Sequence, residues 1–157
     1  MTLIAYHNDP KLKRRVLKQL RAHAKADELI KGNYWRDGKG CAVGCLLHDP
    51  NGGHARYEPE FGVPQMLARL EDAIFEGLPV ARSKTWPVEF MRSIALGADL
   101  SRVGWQFLHW LLTDKTVNPG IDHPLVRDAV KQCADVMAAL AKGDAVSRSA
   151  GSASNSA

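Results

Sequence analysis

Between Asn33 and His48 the chain reads NYWRDGKGCAVGCLLH, which gathers two cysteines, a histidine, an arginine, an aspartate and a tryptophan around three glycines. Read as a helix over 40–48, the run puts Cys41, Gly44, Cys45 and His48 on one face, because offsets of three, four and seven share a side. Three chemistries are open to such a cluster. Cys41, Cys45 and His48, joined by His54 from the next loop, form a set of soft and imidazole ligands of the kind zinc takes. Two ligands one turn apart on a helix usually pair with distant ones, however, and small residues at a tight crossing need nothing extra; no metal and no cofactor is assigned.

The second chemistry is nucleophilic. Gly38-Lys39-Gly40 just before Cys41 would leave its thiol at a helix N-terminus, where the dipole and Lys39 lower its pKa. A base is then required, and His48 and His54 are the nearby candidates, with Asp49 to orient one of them. The third is anion binding. Trp35, Arg36, Asp37, His54, Arg56 and Tyr57 flank the glycine loops and together offer guanidinium groups for a phosphate and aromatic faces for a base. No Walker-type or dinucleotide-type glycine spacing accompanies them.

The elements that must position these residues read as helices. Asp9-Pro10 opens the first, with Asp as N-cap and Pro at the first helical position. Leu12, Val16, Leu17, Leu20 and Ala24 make its apolar seam. Opposite that seam Lys11, Arg14, Lys18, Arg21 and Lys25 recur every three or four residues as a basic stripe. Charge is polarised along the chain. Residues 1–31 carry eight Lys or Arg against three acids, whereas everything after them sums to −1 within a total of +4. Such a stripe suits an acidic protein surface or nonspecific contact with nucleic-acid phosphates, and a solvated face is its plain rival.

The short Cys41–Leu47 segment is apolar nearly all round and reads as a central helix. Residues 48–62 read as a loop from their Pro and Gly content. A helix after Gly62-Val63-Pro64 carries Val63, Leu67, Leu70 and Ile74 inward. Another from Trp86-Pro87 buries Phe90, Met91 and Ile94, and one capped by Asp99 runs through Val103, Phe107, Trp110 and Leu111. The last opens at Asp122 and Pro124, with Val126, Val130, Cys133, Met137 and Leu140 as its seam, and ends at Gly143. Cys133 reads as a core thiol.

The run Gly40-Cys41-Ala42-Val43-Gly44, with Tyr34-Trp35 before it and Phe61-Gly62-Val63-Pro64 and Leu67-Ala68-Arg69-Leu70-Glu71-Asp72 after it, resembles a group of small bacterial and phage proteins with no assigned activity. The likeness covers Ile30 to Trp110. It implies a compact helical domain from a bacterium or phage and brings no catalytic residues.

These observations define an all-α chain: one compact bundle of about six helices over residues 1–143 around the central Cys/Gly helix, with a disordered tail over 144–157. Three cysteines without a secretory signal read as reduced thiols, no apolar run reaches the ~20 residues of a membrane span, and a cytoplasmic location is expected. The functional expectation is a non-catalytic binding or regulatory protein. Its partner, a protein or an anionic ligand, meets the basic helix and the loops around residues 33–40 and 48–58. The alternative is a cysteine-dependent hydrolase or transferase using Cys41 with His48 or His54.

Overall fold

The computed structural model describes residues 2–144. Helices dominate, with eight α-helices and one two-stranded hairpin among the described residues. Where the sequence reads as one domain over 1–143, contacts within the chain fall into two compact units, one ending at Ser101 and the next beginning at Arg102. Apart from residue 144, the expected tail lies outside the described residues.

The first unit starts with a latch. Leu3 N–H donates to Ser101 Oγ at 2.9 Å, Leu100 N–H to the Leu3 carbonyl at 2.8 Å, and Ala5 N–H to the Ala98 carbonyl at 2.8 Å. Helix α1 (Pro10–Lys25) follows. Asp9 caps it by accepting from Lys11 N–H at 2.7 Å, and Pro10 opens it, as the sequence predicts. Leu12, Val16 and Leu20 are its buried ridge.

The chain then forms a hairpin of β1 (Trp35–Arg36) and β2 (Lys39–Gly40), with Trp35 opposite Gly40. Asp37 and Gly38 make the turn, both with left-handed φ, 51° and 81°. That is the Asp-Gly pairing that a tight hairpin favours. Helix α2 (Ala42–Leu47) comes next and is buried along its whole length, confirming the central helix.

Residues 48–62, read as a loop, instead contain a 3-10 turn (His54–Arg56) and helix α3 (Tyr57–Phe61). The reason is core anchoring: Tyr57 and Phe61, four residues apart, are both buried and their rings meet edge-to-face. Helix α4 (Gln65–Gly77) buries Leu67, Ala68, Glu71 and Phe75, while Leu70 and Ile74 are half-buried. Its inward face is thus turned by one residue from the expected stripe, which brings a carboxylate into the core. A short α5 (Val80–Ser83) and α6 (Trp86–Ser93) complete this unit, with Pro87, Val88 and Met91 inward and Phe90 half-buried.

The second unit is an α-hairpin of α7 (Val103–Thr113) and α8 (Arg127–Lys142). Asp99 does not cap α7; its Oδ1 accepts from Ser101 N–H at 2.9 Å in a local turn before the helix begins. Trp110, expected inward, is 45% exposed. Helix α8 begins five residues later than its first cap signal and ends at Gly143 in the left-handed conformation. Ala134 is its buried residue and Cys133 is exposed, so the core-thiol reading of Cys133 is corrected. Among the described residues no helix is long and apolar enough to cross a membrane.

Candidate functional site

The glycines of the NYWRDGKGCAVGCLLH run explain its geometry. A Cβ on Gly40 would sit 1.9 Å from the Tyr34 carbonyl oxygen, and one on Gly44 only 1.4 Å from the same atom. Helix α2 is therefore pressed against hairpin backbone, and both positions exclude any side chain. Gly40 also ties the hairpin to the chain after α1: its N–H donates to the Glu28 carbonyl at 3.0 Å and its carbonyl accepts from Ile30 N–H at 2.8 Å. From α1, Gln19 Nε2 donates to the Cys45 and Leu46 carbonyls at 2.7 and 2.9 Å, satisfying the C-terminal end of a helix too short to do so itself.

Cys41 is the N-cap of α2 rather than part of it, so the expected shared face of Cys41, Cys45 and His48 does not form. Cys45 turns toward the hairpin, its Sγ donating to the Gly40 carbonyl at 3.4 Å, and burial pushes its thiol up to about 12. Cys41 is 1% exposed. Burial first, and the neighbouring Asp72 carboxylate second, hold its thiol protonated far above the usual cysteine range; the helix N–H groups of Val43 and Gly44 act the other way and lose. The activated thiolate expected at this helix start is therefore corrected. Desolvation outweighs a dipole that six residues can supply.

Tyr34 and Trp35 are adjacent where the hairpin begins and have different ring partners. Tyr34 meets His54 edge-to-face at 5.5 Å. His54 Nε2 lies 3.1 Å from Asp72 Oδ2, and both side chains are nearly buried. A cavity of about 260 Å³ opens here, lined by Gly32, Asn33, Tyr34, Cys41, Asp72 and Glu76. Next to Asp72 along α4, Glu71 is fully buried and accepts from Tyr57 O–H at 2.9 Å. Burial pushes its carboxyl up to about 8. Glu71 Oε1 and Asp72 Oδ1 have no hydrogen-bond partner among the described residues.

Trp35 stacks on His48 with ring centroids 4.2 Å apart and meets His23 edge-to-face at 5.5 Å. His48 is the C-cap of α2 in the left-handed region, φ 51°. His23, in the last turn of α1, places Nδ1 2.6 Å from Glu28 Oε2 and Nε2 3.1 Å from His48 Nε2. Burial and the facing His23 hold the His48 imidazole below its ordinary pKa. His23 and Glu28 are absent from the sequence-derived site. Their signal was a lone histidine at the edge of the α1 seam and an acid just past the helix end, which acquires meaning only when α2 is docked.

The remaining candidates scatter. Arg36 and Asp37 are exposed at the hairpin turn, 3.6 Å apart. Arg56 is engaged by Asp49 at 3.1 Å and by Glu60. Tyr57 is a core residue on Glu71, so the six-residue anion pocket of Trp35, Arg36, Asp37, His54, Arg56 and Tyr57 is not assembled. No hydrogen bond joins His48 or His54 to the Cys41 thiol among the described residues. Lys11, Arg14, Lys18, Arg21 and Lys25 are all exposed on α1, within roughly 80° of one another around the axis. None of the five has an acidic partner among the described residues.

No protein-family model, curated protein or solved structure matches this chain.

Proposed function

We propose that this protein is a non-catalytic binding protein that docks a polyanionic surface along α1. The observation that carries the reading is the row of five exposed cations without acidic partners, diametrically opposite the Leu12, Val16 and Leu20 ridge. From residue 11 to 25 a helix advances about 21 Å, long enough to meet several phosphates or carboxylates at once. Charges already neutralised within the fold would have nothing left to offer a partner; these are not neutralised. The hairpin turn and the 48–58 segment are the second contact surface of the same reading, and a bacterial or phage origin and a cytoplasmic location belong to it as proposals.

The test is a salt titration of binding to a short fluorescent DNA duplex, with heparin as a second polyanion. Affinity should fall linearly in log–log form as salt rises. Reversing Lys11, Arg14 and Lys18 to Glu should abolish binding while stability stays within about 0.5 kcal/mol of the parent. Absence of binding at low salt, or binding that survives the triple reversal, sets the reading aside.

The alternative, a cysteine-dependent hydrolase or transferase centred on Cys41, draws support from one observation: Cys41 lines the same cavity as Asp72, whose Oδ2 lies 3.1 Å from His54 Nε2. Alkylation of native Cys41 by iodoacetamide well below pH 8 would favour it.

A further inference from the structure

We propose that His23 and His48 form a two-imidazole site for a borderline divalent transition ion such as zinc, nickel or copper, with Glu28 orienting the first ligand. The inference is independent of the α1 stripe. Glu28 Oε2, 2.6 Å from His23 Nδ1, fixes a proton on that nitrogen and leaves Nε2 of neutral His23 as a lone pair. That lone pair faces His48 Nε2 at 3.1 Å. Facing ring nitrogens at this separation are bridged by a donor hydrogen or by a cation. Gln19 Nε2, 3.4 Å from His48 Nε2, does not fill that role, because its two N–H groups serve the Cys45 and Leu46 carbonyls. The bridge is therefore either the proton of a neutral His48 ring, an ordinary N–H···N hydrogen bond, or a metal ion.

The surroundings favour the ion. An imidazole pair bound to one tetrahedral zinc places its nitrogens about 3.3 Å apart, so the observed gap needs to widen by only a few tenths of an ångström. A carboxylate on the far nitrogen of a ligating histidine is the usual arrangement behind metal-bound imidazole, where it sets the tautomer and raises ligand basicity. Both ligands stand on packed elements, one in the last turn of α1 and one at the end of α2, which Gln19 joins, and Trp35 stacks on the second ring. Among the described residues no group of three His, Cys, Asp or Glu side chains is placed to hold a metal ion by itself. The protein thus supplies two ligands, and water or a partner's side chain completes the shell.

Isothermal titration of the full chain with nickel or zinc chloride near neutral pH tests this. One ion should bind per chain, in a single saturable heat at one-to-one stoichiometry. His23→Gln and His48→Asn should each weaken binding at least tenfold, and Glu28→Gln about tenfold. Asn tolerates the left-handed conformation at 48, and far-UV circular dichroism of each variant confirms the fold. Copper should quench Trp35 fluorescence, and the quenched component should vanish in Trp35→Phe while binding heat persists. Absence of saturable binding below about 1 mM ion, a range weaker than about −4 kcal/mol, overturns the site in favour of a shared proton. Binding that survives both histidine variants overturns it as well.

Discussion

Two neighbourhoods of the first unit use the same parts, a histidine against a carboxylate beside an aromatic ring, and differ in how far the groups around the pair meet water. Around Trp35 the pair is His23 with Glu28, and His48 beside it is exposed. Around Tyr34 the pair is His54 with Asp72, both nearly buried, with Glu71 and Cys41 sealed in behind. Water makes the difference. On the Trp35 side two imidazoles meet Nε2 to Nε2 next to an exposed His48, whereas on the buried side a thiol and a carboxyl are forced into their neutral forms. The cysteines that dominate the sequence therefore sit where ionic chemistry is suppressed, and the imidazole pair nearer water is made of histidines that sequence spacing does not connect.

The largest expected effect breaks the partition itself. Gly44→Ala puts a methyl group 1.4 Å from the Tyr34 carbonyl oxygen, which has to move and take both rings with it. Chemical denaturation should show a loss above about 4 kcal/mol or an unfolded chain. Gly32→Ala, where nothing lies within 4 Å and only the left-handed φ of 77° is strained, should cost about 1 kcal/mol. Comparable losses at the two positions would mean that α2 and the hairpin are not wedged together.

Next in size is the buried carboxyl. Glu71 has a folded pKa raised to about 8, from an unfolded value near 4.5. Between those values the folded state holds a proton that the unfolded state has released, so stability is greatest below about pH 4.5 and falls as pH rises to about 8. The whole swing is at most on the order of 5 kcal/mol. Glu71→Gln keeps an acceptor for Tyr57 O–H and cannot ionise. Its melting temperature should lose this dependence and exceed that of the parent above pH 8. Parallel pH profiles for the two proteins would show that water reaches the buried side.

Thiol reactivity is the finest probe. Cys133 is exposed and should be alkylated at the rate of a free thiol, while Cys41 and Cys45 should react only on unfolding. Cys41→Ala should cost about 1–2 kcal/mol, since it removes a buried sulfur from a close contact. Native labelling of Cys41 as fast as Cys133 would erase the contrast between the two sides.

Much of this fold could be read from local signals because local signals carry it. Asp9-Pro10 started α1, Gly143 ended α8, and the apolar run Ala42–Leu47 is buried throughout. Asp37-Gly38 was equally local, a hairpin signature passed over because the flanking strands are two residues each. The failures have a different origin. Glu71 faces the core where Leu70 was expected, because Tyr57 from α3 offers a hydroxyl to receive it, and helical periodicity cannot register such a partner. The exposed Cys133 and Trp110 reflect a two-helix unit in which Ala134 is the one buried residue of its helices, so hydrophobic spacing there overstates burial. Within the site, the contact of His23 with His48 spans 25 residues and depends on how α1 docks on α2.

The latch between residues 3–5 and 97–101 also bears on synthesis. The hydrogen bonds from Leu3 and Ala5 reach partners almost a hundred residues downstream. On a ribosome the opening segment therefore waits, its Leu3 and Ala5 groups solvated, until Ser101 has cleared the exit tunnel. At 5–20 residues per second that delay is roughly 5–20 s. The first unit then closes in a late step of high contact order, and a nascent chain stalled before residue 97 would lack the means to close it.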